Sequence, residues 1–208
     1  MKYNYITIER EYGSGGTEIA QKLAKRCGIH CYGKEILQEV SKQEAIPIEQ
    51  IEKYEETATD SFLYSMYMLG QSPDGMNGSG TKANRIHEAE VRAIRRLAAN
   101  GRAVFLGHCA SDALHAQNDV LHVFVHGNFA DKKRRTIRNY KISPNEAEKT
   151  MRRFDRKRAN YYNVNTSKKW DDWSNYDIVL NSSTLGVDGC VRVLSGFLKQ
   201  ALDSTELI

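Results

Sequence analysis

The chain has 208 residues, of which 40% are hydrophobic, and carries 30 Lys and Arg against 26 Asp and Glu. This length predicts one domain with an insertion, and the composition is that of an ordinary globular protein. No apolar run reaches about 18 residues, so no membrane span is expected, and the net charge of +4 does not itself indicate a nucleic-acid partner.

Four short apolar runs predict β-strands at 3–9, 103–107, 120–126 and 176–181. Apolar residues at helical spacing predict helices at 19–27, 86–97 and 187–201. Strands that alternate with helices indicate right-handed crossovers and a central, mostly parallel sheet in a three-layer α/β/α fold. In such a sheet, ligands bind beyond the carboxyl ends of the strands.

The first predicted strand leads into a glycine-rich turn and an amphipathic helix, with the sequence ITIEREYGSGGTEIAQKL at 6–23. Glycines let successive N–H groups turn inward, and the helix N-terminus adds free N–H groups and the positive end of its dipole. Together these backbone groups form an anion site, for which phosphate is the natural occupant.

The turn matches the phosphate-loop fingerprint G-x-x-x-x-G-K-[ST] only in part. Gly15 and Thr17 stand at the second glycine and at the hydroxyl residue. Arg10 and Gly16 stand where the fingerprint has its first glycine and its lysine. The dinucleotide pattern G-x-G-x-x-G fits two glycines and fails at Glu18, so a phosphate site and a plain strand-to-helix turn both stay open.

Thr17, at the end of this turn, has two candidate roles. Its hydroxyl could bind Mg²⁺ beside a phosphate, as the Ser or Thr of phosphate loops does. Alternatively, Thr17 could be the N-cap of the helix that follows.

Two segments interrupt the alternation of strands and helices. Residues 30–81 hold helical stretches without a clear strand and end in a glycine-rich loop at 70–81. Residues 140–172 are basic and then rich in Tyr and Asn. Between 132 and 158 the chain has twelve Lys and Arg against three Asp and Glu, which requires an anionic partner or a well-solvated face.

Arginines surround Asp155 in the basic segment. Arginine suits phosphates because its planar fork binds two oxygens and keeps its charge. Asp155 and Arg158 are three positions apart, so they can pair on one helical face and the carboxylate can orient the guanidinium. The alternative is a solvated helix whose charges contact nothing specific.

The cysteines show no paired C-x-x-C spacing and the first residues lack an apolar signal region, so we expect a cytoplasmic protein with reduced thiols. Cys27, His30 and Cys31 lie close in sequence and raise the alternative of a zinc site. Zinc requires a second ligand cluster, for which the other candidates are His108 and Cys109, so buried thiols are favoured.

Four motifs, in this order, resemble the cytidylate kinase-like family, relatives of cytidylate kinase among the P-loop nucleoside monophosphate kinases. They are REYGSGGTEIA near the start, GHCASD after the second predicted strand, DRKRANYY in the basic helix and SNYDIVLNSSTLG near the end. The first and last are specific, and the resemblance covers nearly the whole chain. It implies a single P-loop NTPase-type domain over 1–208 that uses ATP and Mg²⁺.

The resemblance also implies a role for each segment: 30–81 would cover the acceptor nucleotide, and 140–172 would form a lid. The implied catalytic residues are Arg152, Arg153, Asp155 and Arg158. The implied donor-binding residues are Arg10, Gly13, Ser14, Gly15, Gly16, Thr17, Lys132, Arg135, Ser182 and Ser183, with Thr17 also a metal ligand. The implied acceptor-binding residues are Lys34, His108 and Cys109.

Four positions depart from the family pattern. Gly16 replaces the phosphate-loop lysine, a replacement typical of this kinase-like group. His108 and Cys109 stand where cytidylate kinases carry an arginine and an aspartate, and Gly33 stands where relatives carry an aspartate. Histidine is only partly charged at neutral pH and cannot bind phosphate through two parallel bonds. We hypothesise that Arg10 either pairs with Glu11 or supplies the charge lost with the lysine.

Three functions stay open from the sequence. The first is a kinase that transfers a phosphoryl group from ATP to a nucleoside monophosphate of the cytidylate type or to another small acceptor. The second is a catalytically weak nucleotide-binding protein of the same fold that acts as a switch or binds a partner. The third is nucleic-acid binding through the basic segment, with Tyr161, Tyr162 and Trp170 as stacking surfaces, and it is disfavoured because no nucleic-acid-binding motif accompanies them. The expected partner is a nucleotide and not a membrane, and a homo-oligomer stays open.

Overall fold

A computed structural model describes residues 3–57 and 82–198. At its centre lies a five-stranded sheet in the order β2-β3-β1-β4-β5, and every pairing between neighbouring strands is parallel. The strands are β1 (Tyr5–Arg10), β2 (His30–Tyr32), β3 (Ala103–Leu106), β4 (Val120–His126) and β5 (Ile178–Asn181). β1 is central, with its Ile6 opposite Val104 of β3 on one side and Leu121 of β4 on the other.

Helices follow the strands as parallel connections require. They are α1 (Gly16–Cys27), α2 (Lys34–Glu44), α3 (Ile48–Thr57), α4 (Lys82–Ala99), α5 (Ala110–Ala113), α6 (Phe129–Tyr140), α7 (Pro144–Thr166) and α8 (Ser182–Ser195). A 3₁₀ turn spans Trp173–Asn175, and Gly186 has a non-helical conformation inside α8. None of the helices within 3–57 and 82–198 is both long and apolar enough to cross a bilayer.

Apolar cores on both faces of the sheet give the three layers predicted from the sequence. On one face Ile6 and Ile8 of β1 pack with Leu23 of α1 and with residues of α8. On the other face, Phe105 packs with Ile94 and with residues of α2 and α3. The α/β prediction is therefore confirmed, and the carboxyl ends of the strands meet at one edge.

β2 is a strand that the sequence analysis did not predict. It is only three residues long, lies at the edge of the sheet, and exposes His30 while Cys31 and Tyr32 are half-buried. A run this short shows no apolar pattern, because the alternation of a strand needs four or more residues to be recognisable. The predicted loop at 70–81 lies outside the described residues.

Candidate functional site

The loop that follows the central strand has the backbone conformation of an anion site. Gly13 and Gly15 have φ angles of 77° and 82°, in the left-handed region that other residues rarely adopt. α1 begins at Gly16 and its N-cap is Gly15, which has no side chain to satisfy the first amides of the helix. Thr17 is therefore the second residue of the helix, and its interpretation as the N-cap is wrong.

The buried Ser14 holds the shape of the loop from inside. Its Oγ donates a hydrogen bond to the carbonyl of Glu11 at 2.8 Å and accepts one from the N–H of Gly16 at 3.3 Å. Ser14 thus links the start of the loop to the first residue of α1. A loop fixed in this way does not need to be ordered by a ligand, which lowers the entropic cost of binding.

Lys132 of α6 lies against the loop. Its Nζ is 2.8 Å from the carboxylate of Glu11, and its side chain is 11% exposed. The N–H of Gly127, after β4, donates to the same carboxylate at 3.1 Å. The backbone of α6 also touches the loop, because a Cβ at Gly13 would lie 2.6 Å from the carbonyl oxygen of Lys132.

Arg135, one turn further along α6, covers the next part of the loop. Its guanidinium carbon lies 3.1 Å from the position that a Cβ of Gly15 would take. Its Nη1 binds the carboxylate of Glu18 at 2.7 Å, and Lys22 binds the same side chain at 3.1 Å. Burial alone would raise the pKa of Glu18, but its hydrogen bonds with Lys22 and Arg135 lower it below the usual value.

A cleft of about 500 Å³ opens on this side of the loop and is called the donor cleft, after the role that we propose for it below. Four cations and two carboxylates line it: Lys132, Arg134, Arg135 and Arg138 with Glu18 and Asp131. Ser182 and Ser183, at the start of α8, complete its wall. Ser182 donates to the carbonyl of His126 and Ser183 accepts from the N–H of Asn128, both at 2.9 Å. The excess of positive charge suits an anionic ligand.

A second cleft of about 590 Å³ opens on the β3 side of the loop and is called the acceptor cleft, likewise after its proposed role. Its polar lining contains the cations Arg10, Lys157 and Arg158 and the carboxylates Glu9, Glu49 and Glu52. Since β3 and β4 flank β1 on opposite sides, the two clefts lie on opposite sides of the glycine loop. Glu9, Glu49 and Glu52 were not singled out from the sequence.

Arg10 faces the acceptor cleft. Its guanidinium extends over Gly107, where a Cβ would overlap Nη1. Nη1 of Arg158 donates to the backbone carbonyl of Arg10 at 2.9 Å. Burial and the like charge of Arg10 lower the pKa of Arg158 to about 10, so Arg158 stays charged at neutral pH. The structure therefore brings two predicted site arginines together at one wall of this cleft.

Asp155 connects α7 to the loop. Its Oδ1 accepts a hydrogen bond from the N–H of Tyr12 at 2.6 Å and lies 3.9 Å from Nη1 of Arg158, on the helical face expected from their spacing. Burial raises the pKa of Asp155 to about 6, in spite of the Tyr12 bond and the charge of Arg158. The other two predicted catalytic residues point elsewhere: Arg152 pairs with Glu148 of its own helix, and Arg153 is exposed over the ring of Phe154.

Gly107, His108 and Cys109 follow β3 and all have positive φ angles, of 76°, 56° and 54°. Two non-glycine residues in this conformation carry backbone strain of roughly 1–3 kcal/mol each, of the kind that concentrates at functional sites. His108 and the buried Cys109 line the acceptor cleft. Lys34, by contrast, is exposed at the first residue of α2 and is not among the residues that line that cleft.

Glu90 of α4 is fully buried beside the acceptor cleft and was missed from the sequence. Its carboxylate lies 3.8 Å from Nδ1 of His87 and from Nδ1 of His108, and it accepts a hydrogen bond from the hydroxyl of Tyr161. Burial opposes its ionisation, but His108, His87 and Tyr161 lower its pKa. The signal in the sequence was a carboxylate four positions after Ile86, on the apolar face of a helix.

The aromatic residues considered as stacking surfaces are buried. Trp170 and Tyr162 are 4% and 2% exposed, and Tyr161 is 8% exposed. Trp170 donates through Nε1 to Glu9 at 3.2 Å. Buried rings cannot stack on the bases of a nucleic acid.

Thr17 is half-buried at the second residue of α1 and brings one hydroxyl oxygen to the N-terminus of this helix. Mg²⁺ usually keeps several waters and binds one or two protein oxygens together with substrate phosphates. Such a site does not need a cage of protein ligands. Within 3–57 and 82–198, His, Cys, Asp and Glu form no group of three that could hold a metal ion.

The strand order and the loop after the central strand define a P-loop NTPase-type α/β fold. The sequence profile of the cytidylate kinase-like family matches residues 5–184, and the chain belongs to that family. This membership supports a nucleotide or small-molecule kinase in general, with ATP and typically Mg²⁺ as the cofactors that the family implies.

The chain aligns with solved structures, the first of which shares its fold. An uncharacterized protein from Eubacterium ventriosum aligns with a TM-score of 0.68 and 24% identity over 93% of this chain and 97% of that one. Shikimate kinase from Bacteroides thetaiotaomicron aligns with a TM-score of 0.49 and 12% identity over 92% of this chain and 96% of that one. Shikimate kinase from Acinetobacter baumannii in complex with shikimate aligns with a TM-score of 0.47 and 13% identity over 92% of this chain and 88% of that one. No curated protein sequence matches significantly.

Proposed function

We propose that this chain is a kinase that transfers the terminal phosphoryl group of ATP, with Mg²⁺, to a nucleoside monophosphate of the cytidylate type or to another small anionic acceptor. The observation that carries the proposal is the pair of clefts on either side of the glycine loop: Gly13 lines the donor cleft, and Arg10, where the loop begins, lines the acceptor cleft. Phosphoryl transfer needs a donor and an acceptor on either side of the transferred group, with little covalent chemistry from the protein.

The donor cleft supplies the binding groups for the nucleotide phosphates. The amides around Gly13, Ser14 and Gly15, the first amides of α1 at Gly16, and the cations Lys132 and Arg135 would hold the phosphates. Ser182 and Ser183 lie where they would contact the rest of the nucleotide. Thr17 would hold Mg²⁺, which supplies charge neutralisation between the outer phosphates when bound.

The acceptor cleft supplies cations for an anionic group. Arg10 and Arg158 would bind the phosphate or carboxylate of the acceptor, while His108 and Cys109 form the wall after β3. Asp155 would act as a positioning residue, because it links Arg158 to the backbone of Tyr12. The family resemblance alone supports Arg152 and Arg153 as catalytic residues, since their side chains contact Glu148 and Phe154 of α7 in this structure. Lys34 is proposed as an acceptor contact on family resemblance alone.

Coupled detection of ADP tests the proposal. We expect at least one nucleoside monophosphate, or a related small phosphorylated or carboxylated acceptor, to stimulate ADP formation from ATP and Mg²⁺ above the acceptor-free rate. We also expect ATP and that acceptor together to raise the melting temperature more than either does alone. If ATP binds but no acceptor in the panel stimulates turnover, the kinase proposal is contradicted.

One observation favours a second candidate, a nucleotide-binding protein with weak or no catalysis that acts as a switch or binds a partner. His108 stands where cytidylate kinases carry an arginine, and its imidazole lies 3.8 Å from the buried Glu90. The acceptor cleft therefore lacks one guanidinium that could bind phosphate. ATP binding without acceptor-stimulated ADP formation is the result that this candidate predicts.

A further inference from the structure

We propose that Lys132 supplies, from α6, the ammonium group that other phosphate loops carry at the position of Gly16. The inference rests on the proposed function, because it assigns Lys132 to the outer phosphates of a nucleotide in the donor cleft. In the phosphate-loop fingerprint, the lysine after the second glycine reaches the β- and γ-phosphates. This chain has no side chain at that position, and the charge must come from another element.

The usual position of the lysine is closed in this loop. A Cβ at Gly16 would lie 2.5 Å from Cβ and 2.9 Å from Cγ of Arg10. These atoms are fixed close to the backbone and cannot swing away as the end of a long side chain can. Arg10 itself stands where the fingerprint has a glycine. The two departures are therefore a matched exchange, in which the side chain at position 10 takes the space that a side chain at position 16 needs.

Arg10 does not replace the lysine, because its guanidinium lies on the other side of the loop. It extends over Gly107 and lines the acceptor cleft, beside Arg158. The donor cleft is lined by other cations, all of them from α6. The positive charge that replaces the lysine on the donor side is therefore expected to come from α6.

Among the α6 cations of the donor cleft, Lys132 is the buried one. Arg134 and Arg138 are exposed, and Arg135 is half-buried and holds Glu18. Lys132 lies inside the contact between α6 and the loop, with its Nζ 2.8 Å from Glu11. An ammonium group has three donors, so the Glu11 bond leaves two for phosphate oxygens.

Glu11 acts as the positioning residue for this ammonium. Its carboxylate is held in turn by the N–H of Gly127 at 3.1 Å, which fixes the carboxylate between β4 and the loop. A lysine on a helix outside the loop needs such an anchor, since its four-carbon stem is flexible. The Glu11 carboxylate thus explains how an acidic residue can lie inside an anion-binding loop.

Titration calorimetry with ATP and with adenosine tests the inference, because adenosine lacks the phosphates and, unlike AMP, is not a nucleoside monophosphate that the acceptor cleft would bind. We expect Lys132→Met to weaken ATP binding by roughly tenfold or more, the loss typical of a charge-assisted hydrogen bond, and to change adenosine binding much less. Lys133→Met is the matched control on the same helix, because Lys133 is not among the residues that line the donor cleft, and should bind both as the wild type does. Since Lys132→Met leaves Glu11 without its cation, Glu11→Gln/Lys132→Met provides a second variant if the first does not fold.

A rescue experiment tests the matched exchange. In the Lys132→Met background, Arg10→Gly together with Gly16→Lys should restore most of the ATP affinity, whereas Gly16→Lys alone should not, since Arg10 blocks that side chain. Wild-type affinity of Lys132→Met for ATP would overturn the assignment of Lys132 and leave the proposed kinase standing. Failure of the wild-type protein to bind ATP would instead overturn the proposed function. Equal rescue with and without Arg10→Gly would contradict the exchange.

Discussion

Two acidic side chains around the acceptor cleft, Glu90 and Asp155, have pKa values shifted in opposite directions. Glu90 is more deeply buried, yet His108, His87 and Tyr161 stabilise its charge and lower its pKa. For Asp155, burial outweighs the hydrogen bond from Tyr12 and the charge of Arg158, and the pKa rises to about 6. Burial alone therefore does not decide whether the pKa of a buried carboxyl rises or falls. The number of charged or hydrogen-bond-donating neighbours decides it.

Asp155→Asn should remove a pH dependence of stability between about pH 4 and pH 6. The pKa of Asp155 rises from 3.8 to about 6 on folding, so in this range the native state binds more protons than the unfolded state. The free energy of unfolding of the wild type then falls by up to roughly 3 kcal/mol as the pH rises through this window. Above the window it levels off. Asparagine keeps an oxygen for the N–H of Tyr12 and does not ionise.

Urea unfolding of both proteins at several pH values between 4 and 7 measures this difference. The variant should show a flatter profile than the wild type and should equal or exceed its stability at pH 7. Parallel profiles would show that Asp155 ionises in the folded protein as it does in the unfolded chain.

Glu90→Gln should destabilise the protein at neutral pH by roughly 2 kcal/mol, since a charged hydrogen-bond acceptor among His87, His108 and Tyr161 becomes neutral.

The stabilisation by Glu90 depends on pH in the opposite direction to that of Asp155. The folded pKa of Glu90 is lowered, so its stabilisation is complete above the unfolded value of 4.5 and is lost as the pH falls through the folded pKa. The difference between variant and wild type should therefore shrink on acidification.

The same variant should affect the acceptor cleft, because the Glu90 carboxylate lies 3.8 Å from Nδ1 of His108, which lines that cleft. We expect a higher KM for the acceptor with little change in the KM for ATP. A variant that loses stability but keeps the acceptor KM would limit Glu90 to a structural role.

At the scale of elements, the contact between α6 and the glycine loop places the donor cations. Gly13 lies where α6 comes closest, because a Cβ there would meet the carbonyl of Lys132 at 2.6 Å and Oγ1 of Thr136 at 2.8 Å. Glycine is therefore needed at position 13 for two reasons: it adopts a positive φ, and its missing Cβ lets α6 approach the loop closely. The phosphate-loop fingerprint describes only the residues of the loop. In this chain the packing of α6 against the loop decides which cations lie beside it.

Gly13→Ala should cost more stability than Gly28→Ala, although both glycines have positive φ angles. Gly28 has nothing within 4 Å of the position of a Cβ, so alanine there carries only the cost of the left-handed conformation, roughly 1–2 kcal/mol. At Gly13, the clash with backbone atoms of α6 adds roughly 1–3 kcal/mol.

Chemical denaturation of the two variants gives the comparison directly. The Gly13 variant should also weaken ATP binding, because α6 must move away from the loop, while the Gly28 variant should bind ATP normally. Equal losses of stability would show that α6 does not press on the loop at Gly13.

The elements that could be predicted from the sequence are those with a long local pattern. β1, β3, β4 and β5 are apolar runs, and α1 follows a glycine turn, so their order and type followed from periodicity. β2 could not be predicted because three residues at a sheet edge carry no period. The ion pair between Lys132 and Glu11 joins residues more than a hundred positions apart, and nothing in the local sequence indicates it.

At the scale of the whole molecule, the sheet topology separates the two clefts. The residues after β3 contribute the far wall of the acceptor cleft and the residues after β5 contribute that of the donor cleft, with β1 and its loop between them. The sequence analysis placed the residues after each strand at one edge but could not divide them between two clefts. That division depends on the strand order, which the local patterns of a sequence do not reveal.

The separation predicts that single arginine variants have selective effects. Arg135→Ala removes a cation of the donor cleft and should raise the KM for ATP by roughly tenfold, with the acceptor KM nearly unchanged. Arg158→Ala removes a cation of the acceptor cleft and should raise the KM for the acceptor, with the KM for ATP nearly unchanged. Steady-state kinetics with each substrate varied in turn measures both constants.

Arg134→Ala is the control for an exposed charge of the donor cleft, because Arg134 lines that cleft but is 72% exposed and makes its ion pair with Asp131 within its own helix. Its effect should be small and should disappear at higher ionic strength, since exposed charges are screened. If Arg135→Ala and Arg158→Ala instead raise both KM values together, the two clefts bind parts of one ligand. The loop would then be the floor of a single site and not the wall between a donor and an acceptor.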